Sequence, residues 1–142
     1  MKIKQISLFA ENKPGHILAP IQLLKQQGVD IRALYLADTQ QYGILRMIIS
    51  DWEKAKAALE SSGFTVKVTE VLAVEVADRP GGLSDVLAAL EASGTNIEYM
   101  YAFPRFRGEQ AVLIFRFADI DAAIEHLQAA GINVVGSDEL LK

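Results

Sequence analysis

The sequence predicts an α+β fold in which one β-α-β-β-α-β unit is written twice. Three observations carry that expectation: the chain aligns with itself, each copy alternates strand-period and helix-period apolar patterns, and one proline-glycine corner recurs at a matched position. A shift of 66 residues brings Pro14 onto Pro80, Gly15 onto Gly81, Leu24 onto Leu90, Gly28 onto Gly94, Ile31 onto Ile97 and Tyr35 onto Tyr101. Two extra residues in the second copy raise the shift to 68. Leu45 then falls on Leu113, Asp51 on Asp119, Ala55 on Ala123, Leu59 on Leu127, Gly63 on Gly131 and Val66 on Val134.

Each element of the unit has its own signal. A strand comes first, where Ile6, Leu8 and Ala10 alternate as Leu72, Val74 and Val76 do. The corners "ENKPGHI" and "ADRPGGL" follow and lead into a helix, apolar at Leu83, Val86, Leu87 and Leu90 in the second copy. Gly28 and Gly94 are placed to end that helix. "DIRALYLA" and "YGILRMIIS" read as two strands joined at Asp38–Gln41, matched by "NIEYMYAF" and "EQAVLIFRF" joined through "PRFRG". Asp51 and Asp119 suit helix N-caps, and Gly63 and Gly131 close those helices. "FTVKV" and "INVV" supply the last strand. Pro20 stands where the second copy has Val86, so the first helix is expected to begin late, near Ile17, with Pro20 in its first turn.

This order is the split β-α-β arrangement of ferredoxin-like domains, an antiparallel sheet with both helices on one face. The expected domains are residues 1–68 and 69–142, each marginal alone at this size. Their boundary falls inside the continuous apolar run "FTVKVTEVLAVEV", so a rigid pair is expected.

Composition narrows the function. About half of the 142 residues are hydrophobic and 23% are charged, as in a globular protein. No apolar run is long enough to span a membrane, and "MKIKQISLF" does not read as a signal peptide. The chain has no cysteine, which excludes thiolate chemistry and disulfides and makes a cytoplasmic location the simplest expectation. A net charge of −4 argues against nucleic acid. The charge is uneven: residues 1–68 hold nine Lys and Arg against six acids, residues 69–142 five against twelve. Opposite signs on two parts favour docking, within or between chains.

The corner is the candidate site. Proline presets φ, glycine allows close backbone approach, and a helix start exposes N–H groups suited to a carboxylate or phosphate. A bare Pro-Gly is more often a compact turn, but the same turn at matched repeat positions points to a shared role.

"N-K-P-G-H-I" and "D-R-P-G-G-L", each followed by a helix, a glycine and "V-D-I" or "T-N-I", resemble ACT domains, the small amino-acid-sensing modules of regulated metabolic enzymes. The resemblance covers nearly the whole chain twice, leaving "GSDELLK", and is nearest to the stand-alone tandem ACT proteins of bacteria. It implies a free amino acid bound where ACT units meet. Carried over position by position, Asn12 and Asp78 precede the x-Pro-Gly, Gly15 and Gly81 give close approach, and His16 and Gly82 follow. Ile17 and Leu83 flank the site, and Asp30 and Asn96 hold the polar position before the second strand. Asp30 and Asp78 depart from the amide of the pattern, so the two corners are not expected to be equivalent. A carboxylate there can accept from an ammonium but repels another carboxylate.

Other features have plainer readings. His126 lies beside an apolar helix face and reads as a solvated helix residue, and two histidines without ligand spacing predict no metal site. Arg105, Phe106 and Arg107 read as a solvated hairpin tip, since the RNA-recognition strand consensus is absent from "EQAVLIFRF". Tyr35, Tyr99 and Tyr101 read as sheet residues. No serine elbow, phosphate loop or acid pair beside a histidine appears, so neither enzyme nor cofactor is expected. The expected protein is a non-catalytic sensor of a free amino acid, a homo-oligomer (a dimer) that signals to a regulated enzyme or other protein. The alternative is an interaction module with no small-molecule ligand.

Overall fold

The computed structural model describes residues 1–141, apart from the side chains of 105–107. The elements run β1 (Ile3–Glu11), α1 (Leu18–Gln26), β2 (Ile31–Asp38), β3 (Tyr42–Ile49), α2 (Trp52–Ser61), β4 (Thr65–Ala77), α3 (Gly82–Glu91), β5 (Ile97–Arg107), β6 (Gln110–Phe117), α4 (Ile120–Ala129), β7 (Val134–Val135) and α5 (Ser137–Leu140). The repeated β-α-β-β-α-β order is therefore present, and the tail adds one helical turn that buries Leu140. The expected hairpin tip at Arg105, Phe106 and Arg107 lies outside the described side chains.

The chain divides into two compact units. The first is Lys4–Thr69; the second runs from Glu70 onward and also takes Met1–Ile3. Sequence alignment places those three residues with the first copy, but Lys2 Nζ lies 2.9 Å from Asp121 Oδ1 at the start of α4. That contact is invisible to a repeat alignment, which compares positions and not partners.

In the first unit β3 pairs antiparallel with both β1 and β2, with Leu8 opposite Leu45 and Leu36 opposite Leu45 from the other side. Ile6, Leu8, Leu45, Met47 and Ile49 form one core with Leu24 of α1 and Ala55 and Leu59 of α2. In the second unit β6 pairs with β4 and β5, and the two-residue β7 pairs with Ala73 and Val74 of β4. Its core joins Leu72, Val74, Phe115 and Phe117 to Val86, Leu90, Ala123 and Leu127. Matched positions of the repeat thus fill matched places in two cores.

The helix signals operate as their chemistry requires. Asp51 accepts from the Lys54 N–H at 3.2 Å and Asp119 from the Ala122 N–H at 3.1 Å, each satisfying a first-turn donor. Helix α1 begins at Leu18 with Pro20 in its first turn, where a missing N–H costs nothing. Helix α3 begins at Gly82, which matches position 16, so the first unit starts its helix two residues later than the second. No helix among the described residues is long and apolar enough to cross a membrane.

Candidate functional site

Both corners are built on one backbone pattern. The Lys13 N–H donates to the Glu11 carbonyl at 3.0 Å and the Arg79 N–H to the Ala77 carbonyl at 2.9 Å. The Asn12 N–H reaches the Gln41 carbonyl of the β2–β3 turn, and the Asp78 N–H reaches the Glu109 carbonyl of the β5–β6 turn. Gly15 and Gly81 take φ of 80° and 87°, the left-handed region that other residues enter at a cost.

The side chains then make the corners different. In the first, Asn12 Nδ2 donates to the Thr39 carbonyl at 3.2 Å, tying the corner to the turn. His16 lies over Gly43, its Nε2 3.2 Å from where a Cβ on that glycine would stand, with Leu36 beside it. A hollow of about 310 Å3 at this turn is lined by Thr39, Gln40, Gln41 and Tyr42 and by no corner residue. In the second corner Asp78 has no N–H on its side chain to repeat the tie. A hollow of about 670 Å3 remains there, lined by Ala77, Asp78, Arg79, Gly108, Glu109 and Gln110.

Arg79 is the side chain that sequence reasoning passed over. Its Nη2 lies 2.9 Å from Asp85 Oδ2 in the first turn of α3, and Nη1 donates to the Pro80 carbonyl at 3.3 Å. The guanidinium is thereby held beside the helix start at Gly81 and Gly82. A cation at the matched position of both corners, Lys13 and Arg79, was the available signal. Lys13 instead faces Glu11 at 3.4 Å.

Asp30 and Asn96 are not brought to the corners of their own units. Strands β1 and β2 both run antiparallel to β3, so the end of β2 lies at the corner and its start at the far edge. Asp38 and Ala10 share Gly43 as a partner, whereas Asp30 precedes Ile31, which pairs with Ile49. At ~3.3 Å per residue the eight steps from Asp30 to Asp38 put Asp30 roughly 26 Å from the corner, beyond the reach of one amino acid. Asn96 stands in the same relation to Asp78, because Ile97 pairs with Phe117 while Arg107 and Ala77 share Gln110. Asp30 Oδ2 pairs with Arg32 at 2.8 Å. Among the flanking residues, Ile17 packs on the first core and Leu83 is left 37% exposed. His126 Nδ1 lies 3.0 Å from the Ala122 carbonyl of its own helix. Among the described residues no group of three or more His, Asp or Glu could hold a metal.

A sequence model of the family described as an ACT domain pair matches residues 1–142. The chain belongs to this family. It is similar to protein BT0572 of Bacteroides thetaiotaomicron, at 35% identity and a TM-score of 0.92 over 100% of this chain and 97% of that one. It also resembles the ligand-free regulatory subunit of aspartate kinase from Thermus thermophilus, at 18% identity and a TM-score of 0.64, covering 89% of this chain and 91% of that one. The regulatory subunit of aspartate kinase from Thermus flavus gives 18% and 0.61, covering 90% and 92%. These last two likenesses establish the shared ACT fold. A search of curated proteins found no match.

Proposed function

We propose that this ACT domain pair is a non-catalytic cytoplasmic regulator that binds a free amino acid at its corners, the second corner foremost, and passes the bound state to a partner protein. One observation carries the choice of corner: Arg79, Asp78 and Glu109 line one hollow next to the start of α3. A zwitterion needs a cation or N–H donors for its carboxylate and acceptors for its ammonium. Arg79 and the helix-start N–H groups suit the first, and Asp78 and Glu109 suit the second. The corner forms only one wall, so the bound molecule is completed by a second ACT unit, with a homo-oligomer the simplest source. Asp30 or Asn96 join such a site only from a unit other than the one whose corner is filled.

The test is a thermal-shift screen against the twenty amino acids, followed by calorimetry on any hit. The expected result is one amino acid, or one chemical group of them, whose affinity falls at least tenfold in Asp78→Ala and in Arg79→Ala. Both side chains are exposed, so folding is retained. Loss of binding in Asn12→Ala with Asp78→Ala unaffected would move the site to the first corner.

A second reading is supported by Leu83 and Leu87, each 37% exposed on α3 and lining a hollow with Ser84, Ala88 and Glu91. Such a face suits an interaction module without a small-molecule ligand. Silence across the screen selects that reading.

A further inference from the structure

The first unit ends in an unguarded sheet edge. Strand β2 pairs with β3 on one side and stands last in its strand order, so its other side presents a row of backbone N–H and C=O groups. Leu34 is 54% exposed and Leu36 48%. Both lie on the helix-covered face, since they pair with the core residues Met47 and Leu45, yet they fall outside that cover. Edge strands that must stay single carry proline, lysine or inward charge. Strand β2 has no proline and no lysine between Ile31 and Asp38.

The second unit shows what a guarded edge looks like in the same fold. There β5 is last in order, and the positions matching Leu34, Leu36 and Asp38 hold Met100, Ala102 and Pro104. Proline has no N–H to offer a further strand. One repeat has kept its edge closed while the other carries two exposed leucines on an open one.

The sequence of β2 is complementary to itself. Set antiparallel to a second copy about a two-fold axis at Tyr35, it places Leu34 opposite Leu36, Ala33 opposite Ala37 and Arg32 opposite Asp38, each pair occurring twice. Opposite charges at the two ends and leucines in the middle favour this register over its neighbours. A shift by one pair sets Asp38 opposite Leu34 or Arg32 opposite Leu36. Asp38 is exposed and forms no ion pair among the described residues.

We propose that β2 is the surface through which two copies of this chain associate, pairing antiparallel with Tyr35 at the two-fold axis. This gives the homo-oligomer of the proposed function a specific surface and rests on that part of the reading, independently of any ligand. Leu34 and Leu36 of each copy bury one another, and the backbone groups of both edges are satisfied together.

The experiment combines sedimentation with crosslinking of the whole chain. The wild-type protein is expected to be a dimer at micromolar concentration. Leu36→Lys and Asp38→Lys are each expected to weaken association at least tenfold, with folding checked by circular dichroism. Because the chain has no cysteine, a single introduced one reports register. Tyr35→Cys is expected to oxidise to a disulfide dimer in high yield, Leu34→Cys alone in low yield, and the double variant Leu34→Cys with Leu36→Cys in high yield. A monomeric wild type sinks both this surface and the oligomer reading, leaving ligand binding to its own screen. A dimer indifferent to Leu36→Lys and Asp38→Lys overturns the β2 surface alone, as does equal crosslinking from Leu34→Cys and Tyr35→Cys.

Discussion

At positions 16 and 43 the first unit holds His and Gly; at the matched positions 82 and 111 the second holds Gly and Ala. The structure explains the exchange. His16 occupies the space over Gly43, so a Cβ is admitted at 111 only where no imidazole overhangs it. Gly82 is closed from the other side, because a Cβ on it would run into the Ala77 carbonyl oxygen. Gly82→Ala is accordingly expected to cost about 2–3 kcal/mol, since the obstacle is backbone and cannot swing aside. Gly43→Ala meets only the tip of a flexible side chain and is expected to cost about 1 kcal/mol or less. Urea denaturation of the two variants checks the order; equal losses would remove the account. Lys2 gives a second residue-scale test. Its hydrogen bond to Asp121 raises its pKa above the ordinary 10.5, and the nearby Asp121 and Glu70 charges add to this against partial burial. The contribution to stability is therefore complete below pH 10.5 and lost as pH rises through the higher folded value. The melting temperature of Lys2→Gln is expected to lie below wild type at neutral pH and to converge with it at strongly alkaline pH.

At the scale of elements, the helices that follow Asp51 and Asp119 depend on the same device in both units. Each carboxylate satisfies a first-turn N–H that has no partner within the helix. Asp51→Ala and Asp119→Ala are each expected to lower stability by about 1 kcal/mol, measured by denaturant titration. The two losses should add, because the caps share no partner. Helices α1 and α3 differ where their corners differ: α1 has Ile17 at its N-cap and Leu18 as its first residue, whereas α3 starts directly on Gly82. The earlier start brings the N-terminus of α3 against Arg79 and leaves Leu83 and Leu87 partly exposed.

At the scale of the whole molecule, the family assignment rests on residues 1–142 and so covers both units. Within that frame one corner is tied shut by Asn12 and His16 and the other stays open. An amino acid present at a hundred times its dissociation constant is expected to stabilise the protein by about 2.7 kcal/mol, readable as a rise in melting temperature. If the second corner is the site, Asp78→Ala abolishes that rise while leaving the unliganded melting temperature unchanged. The β2 surface belongs to the same scale, since an edge that closes only against another copy makes stability depend on protein concentration.

The sequence by itself determined the repeat, the element order and the helix caps, because these are written in local patterns: alternation, i and i+4 spacing, Asp before a helix and Gly after it. It also determined the late start of α1, because Pro20 admits few places in a helix. Tertiary structure alone decided the rest. Gln5 and Ser7 alternate with Ile6 and Leu8 and read as an outward face, yet both are buried. Asp30 and Asn96 match a binding pattern in sequence, yet strand direction carries them to the far end of their sheets. Arg79 looked like the variable residue before Pro-Gly until its guanidinium was seen at the start of α3. In each case the deciding contact joins positions far apart in the chain or follows from the direction of a strand, and no local pattern records either.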